Sequence, residues 1–409
     1  MKALLVSYFY EHDFGGAELV ARATKKLLEE RMGWSVEVAC FNGGTSKQLG
    51  AIHRLPIPFG FHSSPQWFKR FVLFLNNPLL DRIAMRQLRK KCDPAKFDCV
   101  HCQDLNSLLV ADAFASECRL PLILTLHEPV PKRISPGVLP PFIARCVNAF
   151  MSLRDERIRQ AVSRCHTVIC VSEFVRKRTL VELKHLGAGL EMVIAHPPVE
   201  DYLFAAASQP NTGRTASFPA RLLYIGRMTA EKGLDLLIES LPLVKSSFEL
   251  SILGFGGPIE GRIRAMANKD ARIKMLQAVP HTEVAELIQS HEVVCCPSVV
   301  EEACPKTVAE ARLFGRHIVA TDRGGIPEIL ENYPRAYIVE FGSKTRGECL
   351  AALAEKIDRA IAAGMPQPFA AAELKAEDQF KSRFGAEPLY DVFRLAQWRI
   401  KERRRGMSR

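Results

Sequence analysis

The sequence of 409 residues has no run that approaches the roughly twenty consecutive apolar residues needed to span a membrane as a helix. It also has no low-complexity tract, and its composition is 47% hydrophobic and 25% charged. The N-terminal stretch MKALLVSYFYEHD reaches Glu11 and Asp13 too early for a signal peptide. We therefore expect a globular protein of the cytoplasm, and its length favours two domains of about 150–200 residues.

Several catalytic signatures are missing as well. The sequence contains no G-x-S-x-G motif, no H-E-x-x-H motif and no G-x-x-x-x-G-K-[ST] phosphate loop. It also lacks an Asp-x-Asp pair of the kind that holds a divalent metal beneath a diphosphate. These absences argue against the hydrolases, zinc proteases and P-loop enzymes that carry such motifs.

The twelve cysteines fit a cytoplasmic protein. Cys99 and Cys102 form a C-x-x-C pair, but no second pair follows at zinc-finger spacing, and the segment is typical of a buried strand. Most of the others lie in apolar contexts, where a free thiol behaves as a small hydrophobic group. No metal or redox role is therefore indicated.

Positive charge exceeds negative charge and is concentrated in two segments. Lys and Arg number 56 against 45 Asp and Glu, which gives a net charge of +11. The two basic segments are residues 67–91 and 400–409. The surplus indicates an anionic partner, either nucleic acid or the acidic lipids of a cytoplasmic leaflet. No helix-turn-helix, zinc-finger or aromatic RNA-binding signature supports nucleic acid.

Residues 67–91 combine cationic and bulky apolar groups. Arg82, Arg86, Arg89 and Lys90 recur at helical spacing, beside an apolar group within residues 68–75. This composition fits a helix that lies on an anionic membrane surface. It fits equally a solvated helix that covers a core face, so both interpretations stay open.

Apolar, strand-like runs alternate with helical patterns along the whole chain. The runs are residues 3–8, 36–40, 99–101, 122–126, 167–171, 221–225, 249–253, 292–296 and 317–321. Strands that are apolar throughout and separated by helices predict parallel sheets covered on both faces. We therefore predict an α/β protein with two doubly wound domains, residues 1–204 and 205–384, and we expect a C-terminal helix, 385–409, to rejoin the first domain.

The segment PSVVEEACPKTVAEARLFGRHIVATDRGGIPE, residues 297–328, carries two carboxylates at the start of a predicted helix. Pro305 suits the first helical position and Gly315 the end. Glu302 then lies just before the helix and Glu310 on its second turn. The N–H groups of a helix N-terminus can bind phosphate. The arrangement suits a nucleotide-sugar site, and an ordinary amphipathic helix with exposed acids is the alternative.

The same segment resembles the donor-site signature of the retaining glycosyltransferases of family 4, which have the GT-B fold. In that signature E-x7-E precedes an alanine, a glycine, a buried strand and a Gly-Gly turn. The matching residues here are Glu302, Glu310, Ala311, Gly315, the strand His317–Thr321, and Gly324 with Gly325. The upstream stretch LLYIGRMTAEKGLDLLIESL resembles a second element of the family and supplies Gly226, Arg227, Lys232 and Gly233.

The resemblance implies two Rossmann-like domains that face each other across a cleft, with the donor bound by the second. Arg227 and Lys232 would bind the diphosphate, Glu302 would orient the sugar, and Glu310 would bind the ribose. Further donor-side residues are Gly15, Gly16, Gly226, Gly254, Gly256, Ala303, Cys304 and Thr307. Because cations and a helix N-terminus meet the phosphate charge, no metal and no other cofactor is expected.

The N-terminal half resembles the family at two further points. His127, in TLHEPV, matches a histidine that lies near the reacting anomeric carbon, although Glu128 replaces the family's aspartate. The run His101-Cys102-Gln103-Asp104 resembles His-x-His-Asp, with Gln103 in place of the second histidine, and predicts Asp104 on the acceptor side.

One departure bears on the donor. Where many family members have Glu-Gly-Phe-Gly, this chain has Glu302-Ala303-Cys304-Pro305. Proline has no N–H, so one family hydrogen bond to sugar or phosphate cannot be made at Pro305. The departure therefore affects the choice of hexose more than the type of reaction.

The resemblance implies a metal-independent, retaining transfer of a hexose from a UDP- or GDP-sugar to a saccharide or lipid-linked saccharide, in cell-envelope or polysaccharide synthesis. The enzyme would be cytoplasmic, or peripheral on the inner face of the cytoplasmic membrane. A nucleotide-sugar epimerase of the same fold and a non-enzymatic, basic nucleic-acid-binding protein are the alternatives. The base, the hexose, the acceptor and the oligomeric state stay open.

Overall fold

A computed structural model provides the structure of the chain. The residues it describes are 1–10, 16–42, 52–55, 78–130, 155–183, 190–207, 218–277, 279–342, 344–366, 369 and 371–407. Within this part of the chain, no helix is long and apolar enough to cross a bilayer.

The chain divides into two compact units. The first consists of Met1–Pro198 with Ala386–Arg409, and the second of Val199–Gly385. The sequence predicted a later division, after residue 204. The earlier division has a structural reason, because the Val199 N–H donates to the Phe384 carbonyl at 2.9 Å and Leu203 is buried in a core of the second unit.

The first unit is built on one parallel sheet. Its strands are β1 (Lys2–Phe9), β2 (Ser35–Asn42), β3 (Ile52–Arg54), β4 (Cys99–Cys102), β5 (Leu122–Leu126), β6 (Thr167–Cys170) and β7 (Met192–Ile194). Their order across the sheet is β3-β2-β1-β4-β5-β6-β7. The helices described before the second unit are α1 (Gly16–Glu30), α2 (Pro78–Lys91), α3 (Leu108–Glu117), α4 (residues 155–163) and α5 (Glu173–Leu183). The Ser172 hydroxyl accepts from the Val175 N–H at 3.2 Å, so Ser172 is the N-cap of α5.

The basic helix α2 covers a core face. Ala84, Met85 and Leu88 are buried, whereas the four cations at positions 82, 86, 89 and 90 lie on the less buried side. Arg89 pairs with Glu117 of α3 at 3.0 Å. The arrangement matches the solvated-helix interpretation and leaves membrane binding as a prediction. The predicted apolar group at residues 68–75 lies outside the described residues.

The second unit repeats the architecture. Its strands are β8 (Ala220–Arg227), β9 (Phe248–Phe255), β10 (Ile273–Met275), β11 (Val293–Cys296), β12 (His317–Thr321) and β13 (Ala336–Val339), in the order β10-β9-β8-β11-β12-β13. The helices are α6 (Asp201–Ala207), α7 (Leu234–Ser240), α8 (Glu260–Ala267), α9 (Val284–Gln289), α10 (Lys306–Leu313), α11 (Ile326–Ile329), α12 (Arg346–Ala362) and α13 (Ala371–Phe384). Helix α14 (Glu387–Met407) returns to the first unit.

Both faces of the second sheet are covered, which confirms the doubly wound class. Successive side chains of a strand point to opposite faces. Leu222 and Tyr224 of β8 accordingly lie in one core cluster, and Leu223 lies in the other. In the first unit, α14 packs Phe393 edge-on against Trp34 with ring centroids 6.1 Å apart.

Strand order reverses between β1 and β4 in the first sheet and between β8 and β11 in the second. In open parallel sheets, ligands bind beyond the carboxyl ends of the strands at such a switch point. A ligand site in the second unit is therefore expected at the loops that follow β8 and β11.

The ends of α10 follow the sequence in part. Pro305 is the N-cap, with an extended ψ of 114°, and the helix begins at Lys306, so the prediction of Pro305 at the first helical position was wrong by one residue. At the other end Gly315 has a φ of +65°. Its N–H donates to the Arg312 carbonyl at 2.8 Å, and the Arg316 N–H to the Ala311 carbonyl at 3.0 Å. These bonds form a Schellman motif, and the predicted stop at Gly315 is confirmed.

Candidate functional site

The motif residues of the second unit lie at the carboxyl ends of its parallel strands. Arg227 ends β8, Gly254 is near the end of β9, and the loop that carries Glu302 follows β11. The Gly324-Gly325 turn follows β12. Since β8 and β11 are neighbours in the sheet, Arg227 and the Glu302 loop lie on the two sides of the switch point.

The loop between β11 and α10 is held by its backbone on the side of β8. Gly233 has a φ of +67°, and a Cβ added there would collide with the Pro297 carbonyl oxygen. The Val299 N–H donates to the Glu231 carbonyl at 3.0 Å. The Lys-Gly element of the sequence therefore provides a glycine that lets the two loops approach closely.

The Gly-Gly turn holds the same loop on the side of β12. Gly324 has a φ of +64° and forms a parallel bridge with Glu302, and a Cβ on Gly324 would lie 2.6 Å from the Glu302 nitrogen. The Gly325 N–H donates to the Glu302 carbonyl at 2.7 Å. The position of Glu302 thus depends on two glycines that follow it by more than twenty residues.

The carboxylate of Glu302 has two hydrogen-bond partners on one oxygen. The Lys232 ammonium lies 2.7 Å from Oε1, and the Ser298 hydroxyl donates to Oε1 at 2.6 Å. The Glu302 side chain is 12% exposed and the Lys232 side chain 26%. Two predicted site residues, separated by 70 positions in sequence, are therefore in direct contact.

Arg227 and the glycines around it form the neighbouring loop. The Arg227 side chain is exposed, and its carbonyl accepts from the Tyr224 hydroxyl at 3.0 Å. The Met228 N–H donates to the Gly256 carbonyl at 3.0 Å. A Cβ on Gly254 would lie 2.9 Å from the Met228 Cγ, so the absence of a side chain at Gly254 leaves room for Met228 in the loop after β8.

Glu310 lies deeper than its predicted role suggested. The residue is 3% exposed on α10. Burial, with further contributions from the negative charges of Glu200 and Glu310, raises the pKa of Tyr202. Lys306, at the start of the same helix, pairs with Glu200 at 2.5 Å. Glu310 is therefore a buried residue within α10, close enough to Tyr202 of α6 for its charge to raise the pKa of that tyrosine.

The remaining donor-side predictions lie in the same loop or in the first unit. Ala303, Cys304 and Thr307 are half-buried around the start of α10. Burial, with the nearby charge of Glu328, raises the pKa of the Cys304 thiol, which is therefore protonated at neutral pH. Gly16 is the first residue of α1, and Gly15 lies outside the described residues.

In the first unit, His127 follows the end of β5 and is half-buried. Its Nε2 lies 3.2 Å from the Gln103 Oε1, an atom that can only accept, so His127 donates from Nε2. The Gln103 amide nitrogen lies 3.4 Å from the His101 Nε2, which also contacts the Thr125 hydroxyl at 2.9 Å. Burial lowers the pKa of His127 to about 4 and that of His101 to about 3, so both are neutral at pH 7.

Asp104 has contacts within its own unit. Its Oδ2 accepts from the Tyr8 N–H at 2.6 Å, and its Oδ1 from the Ser107 N–H at 2.9 Å. These bonds tie the end of β1 to the start of α3. Burial raises the pKa of this carboxyl, and the backbone hydrogen bonds oppose the shift.

Among the described residues, one group of side chains has the chemistry to hold a metal ion. Glu37, His53 and Cys92 of the first unit offer ligand atoms within 4.8 Å of one another. His53 Nε2 already lies 2.8 Å from the Glu37 Oε2, and the Lys2 ammonium lies 2.5 Å from Oε1. The Glu37 carboxylate is therefore already paired with a cation on one oxygen and with an imidazole nitrogen on the other.

Sequence reasoning missed Ser298 and Gly257. Gly257 has a φ of +145° and packs against the Met228 carbonyl, so the pair Gly256-Gly257 was a detectable signal. Ser298 lies in an irregular loop, where no periodicity marks a buried hydroxyl.

Two family models match the chain. Residues 14–184 match "Glycosyltransferase Family 4", and residues 219–363 match "Glycosyl transferases group 1". Each model covers a segment that lies within one of the two compact units.

Curated relatives match over part of their length. The amylovoran biosynthesis glycosyltransferase AmsK of Erwinia amylovora is 27% identical over 190 residues, which cover 44% of this chain and 46% of AmsK. The gpi3 subunit of the phosphatidylinositol N-acetylglucosaminyltransferase of Schizosaccharomyces pombe is 24% identical over 188 residues, which cover 44% of this chain and 39% of the relative. The chain thus spans less than half the length of these relatives.

Solved structures match over nearly the whole chain. The sucrose-phosphate synthase of Thermosynechococcus elongatus has a TM-score of 0.71 at 16% identity, with 98% of this chain and 99% of that chain covered. Anabaena HepE in complex with UDP-glucose has a TM-score of 0.65 at 17% identity, with 97% and 99% covered. At this identity the likeness shows the fold, which is GT-B as predicted. The family models and the shared fold together support a glycosyltransferase of the GT-B fold.

Proposed function

We propose that the protein is a retaining, metal-independent glycosyltransferase that moves a hexose from a nucleotide diphosphate sugar to a saccharide or a lipid-linked saccharide. The observation that carries the proposal is the contact between Lys232 and Glu302 at the switch point of the second sheet. A group that suits phosphate and a group that suits sugar hydroxyls meet there, within reach of one small ligand.

In this proposal each donor-side residue has one task. Arg227 and Lys232 bind the diphosphate, because a guanidinium fork and an ammonium suit phosphate oxygens. Glu302 accepts hydrogen bonds from the sugar hydroxyls, and Glu310 binds the ribose. Arg227 is exposed and Lys232 partly so, which leaves both side chains room to turn to a ligand.

Catalysis would be mainly electrostatic. The cations and the N–H groups at the start of α10 stabilise the charge that develops on the leaving diphosphate. Such stabilisation supplies what a metal supplies in other phosphate sites, so none is required. His127 would serve on the acceptor side, where its neutral ring donates from Nε2 to Gln103 and keeps Nδ1 as an acceptor.

The relatives favour a role in envelope or polysaccharide synthesis. AmsK is named for amylovoran biosynthesis, and HepE has been solved with UDP-glucose. A UDP-sugar is therefore the first donor to test, with GDP-sugars as the second set. Lipid-linked saccharides are the first acceptors to test.

The direct test combines a panel of UDP- and GDP-sugars with candidate acceptors and detects products by mass spectrometry. We expect one donor to give a glycosylated product whose anomeric configuration, read by NMR, equals that of the donor. Inversion of configuration would contradict the retaining proposal. Turnover of the donor without any acceptor product would favour an epimerase or a hydrolase.

The roles of the two carboxylates are separable by calorimetry. Glu310→Ala should weaken the binding of UDP alone, whereas Glu302→Ala should leave UDP affinity nearly intact and impair transfer.

Lys232→Ala should reduce kcat at least about tenfold, since a charge-assisted contact is worth about 1.5–3 kcal/mol. Lys274→Ala, which breaks an exposed pair with Glu249 in the same unit, is the matched control.

Membrane association is a separate part of the proposal. The cations of α2 would bind anionic lipid, which would bring the enzyme to lipid-linked acceptors on the cytoplasmic leaflet. Flotation with anionic vesicles at low salt should recover the protein with the lipid. Replacement of Arg82, Arg86, Arg89 and Lys90 by Gln should abolish that binding, and an unchanged variant would rule out this surface.

A further inference from the structure

Ser298 is a buried serine that fixes the loop before Glu302. It is 1% exposed and lies two residues after the end of β11. Its carbonyl accepts from the Thr321 hydroxyl at 2.6 Å, and Thr321 is fully buried in β12. The backbone of Ser298 is therefore tied to the neighbouring strand, and its side chain cannot move far.

The Ser298 hydroxyl donates to the Glu302 Oε1 at 2.6 Å, and the Lys232 ammonium lies 2.7 Å from that same oxygen. The two donors differ in what they can do. Lys232 carries a charge on a long, partly exposed stem, and a diphosphate would compete with Glu302 for it. Ser298 is neutral, short and buried, so its hydroxyl stays within the loop.

We propose that Ser298 is a positioning residue that holds the Glu302 Oε1 while Lys232 exchanges between Glu302 and the donor diphosphate. The Glu302 carboxylate then keeps its orientation throughout the reaction, and its Oε2 accepts from a sugar hydroxyl. The inference rests on the proposed function and adds to it a residue that touches neither phosphate nor sugar.

This role predicts a specific split between binding and turnover. Without the hydroxyl, the carboxylate loses a fixed donor as soon as Lys232 turns to phosphate. The affinity for UDP should stay unchanged, because Lys232 and the nucleotide contacts remain. Affinity for UDP-glucose relative to UDP should fall, and kcat should fall by about ten- to one-hundredfold, the equivalent of one hydrogen bond to a charged group.

The test compares Ser298→Ala with Ser240→Ala. Ser240 is fully buried in the same unit, and its hydroxyl donates to the Leu237 carbonyl, so the control loses a buried serine hydrogen bond to a neutral acceptor away from Glu302. Ser298→Cys is the second variant, because it nearly conserves volume with a weak donor and avoids a cavity if the alanine variant is unstable. Each variant is measured for UDP affinity, UDP-glucose affinity and kcat.

A double-mutant cycle with Glu302→Ala separates positioning from packing. If Ser298 acts through Glu302, then Ser298→Ala should lower kcat in the wild-type background and change nothing further in the Glu302→Ala background. An equal loss in both backgrounds, or an unchanged kcat in Ser298→Ala and Ser298→Cys, overturns the inference. A wild type that binds UDP-glucose but transfers nothing to any acceptor contradicts the proposed function instead, and the ratio of the two affinities still tests Ser298.

Discussion

Gly324 offers a sharp test of how Glu302 is held. In Gly324→Ala the new residue must adopt a φ of +64°, a conformation that costs an L-residue about 1–2 kcal/mol. The added Cβ would lie 2.6 Å from the Glu302 nitrogen, so the backbone of the loop must shift. A shift would weaken the 2.7 Å bond from the Gly325 N–H to the Glu302 carbonyl, which is worth about 1 kcal/mol.

The sum is a loss of about 2–3 kcal/mol in the free energy of unfolding of the second unit. Two other glycines of the same unit separate the cost of backbone strain from the cost of the close contact. Gly364 has a φ of +76° with nothing within 4 Å of its Cβ, so Gly364→Ala should cost only the strain, about 1–2 kcal/mol. Gly261, in the first turn of α8, has neither strain nor a close neighbour, and Gly261→Ala should be neutral or stabilising by up to about 1 kcal/mol.

Urea unfolding followed by fluorescence gives the order of the three midpoints, and a transfer assay gives kcat. We expect Gly324→Ala to be the least stable of the three and to lose activity at a temperature where it is still folded, because Glu302 is displaced. Gly364→Ala should keep the wild-type kcat. If Gly324→Ala and Gly364→Ala had equal midpoints and equal activity, the close approach of the Gly-Gly turn to Glu302 would not be what holds the loop.

Three further outcomes follow from the structure. Glu377→Ala should lower the free energy of unfolding by about 3–5 kcal/mol, because it leaves the Arg312 guanidinium, 3% exposed, without its carboxylate. Calorimetric unfolding measures this loss, and a value below about 1 kcal/mol would contradict the buried pair. Burial lowers the pKa of His101 to about 3 and of His127 and His317 to about 4. The unfolded chain therefore binds protons below pH 6.5 that the folded chain does not, and stability should fall from pH 6.5 to about 4 by up to about 1.4 kcal/mol per pH unit for each histidine. Denaturant midpoints across this range test it, and a flat profile would refute the buried, neutral state. Transfer activity should survive EDTA, whereas loss with recovery on Mg²⁺ or Mn²⁺ would contradict a metal-independent site.

Much of the fold could be predicted because the strands are buried on both faces. Strand β12 is apolar at its three central positions and buried throughout, and His317–Thr321 was predicted with its observed limits. The stop at Gly315 was equally visible, since a positive φ favours glycine. Such features depend on residues that are close together in the sequence, so a single sequence is enough to predict them.

Contacts between distant segments could not be predicted in the same way. The Lys232–Glu302 pair spans 70 positions, and the Arg312–Glu377 pair spans 65. No periodicity links such positions, and only the order of strands in the sheet brings them together. The division after Pro198 was missed for a related reason, because the local sequence does not show that Leu203 of α6 packs in a core of the second unit.

The way Glu302 is held also bears on the departure at Ala303-Cys304-Pro305. The main-chain position of the loop is fixed by contacts to backbone atoms, namely those of Pro297 against Gly233 and of Glu302 against Gly324 and Gly325. These contacts do not depend on the side chains at positions 303–305. Substitution there can change which hydroxyls a donor sugar meets without moving the Glu302 carboxylate. The glycines therefore hold the backbone at Glu302, and under the proposed function the three residues after Glu302 would influence the choice of hexose.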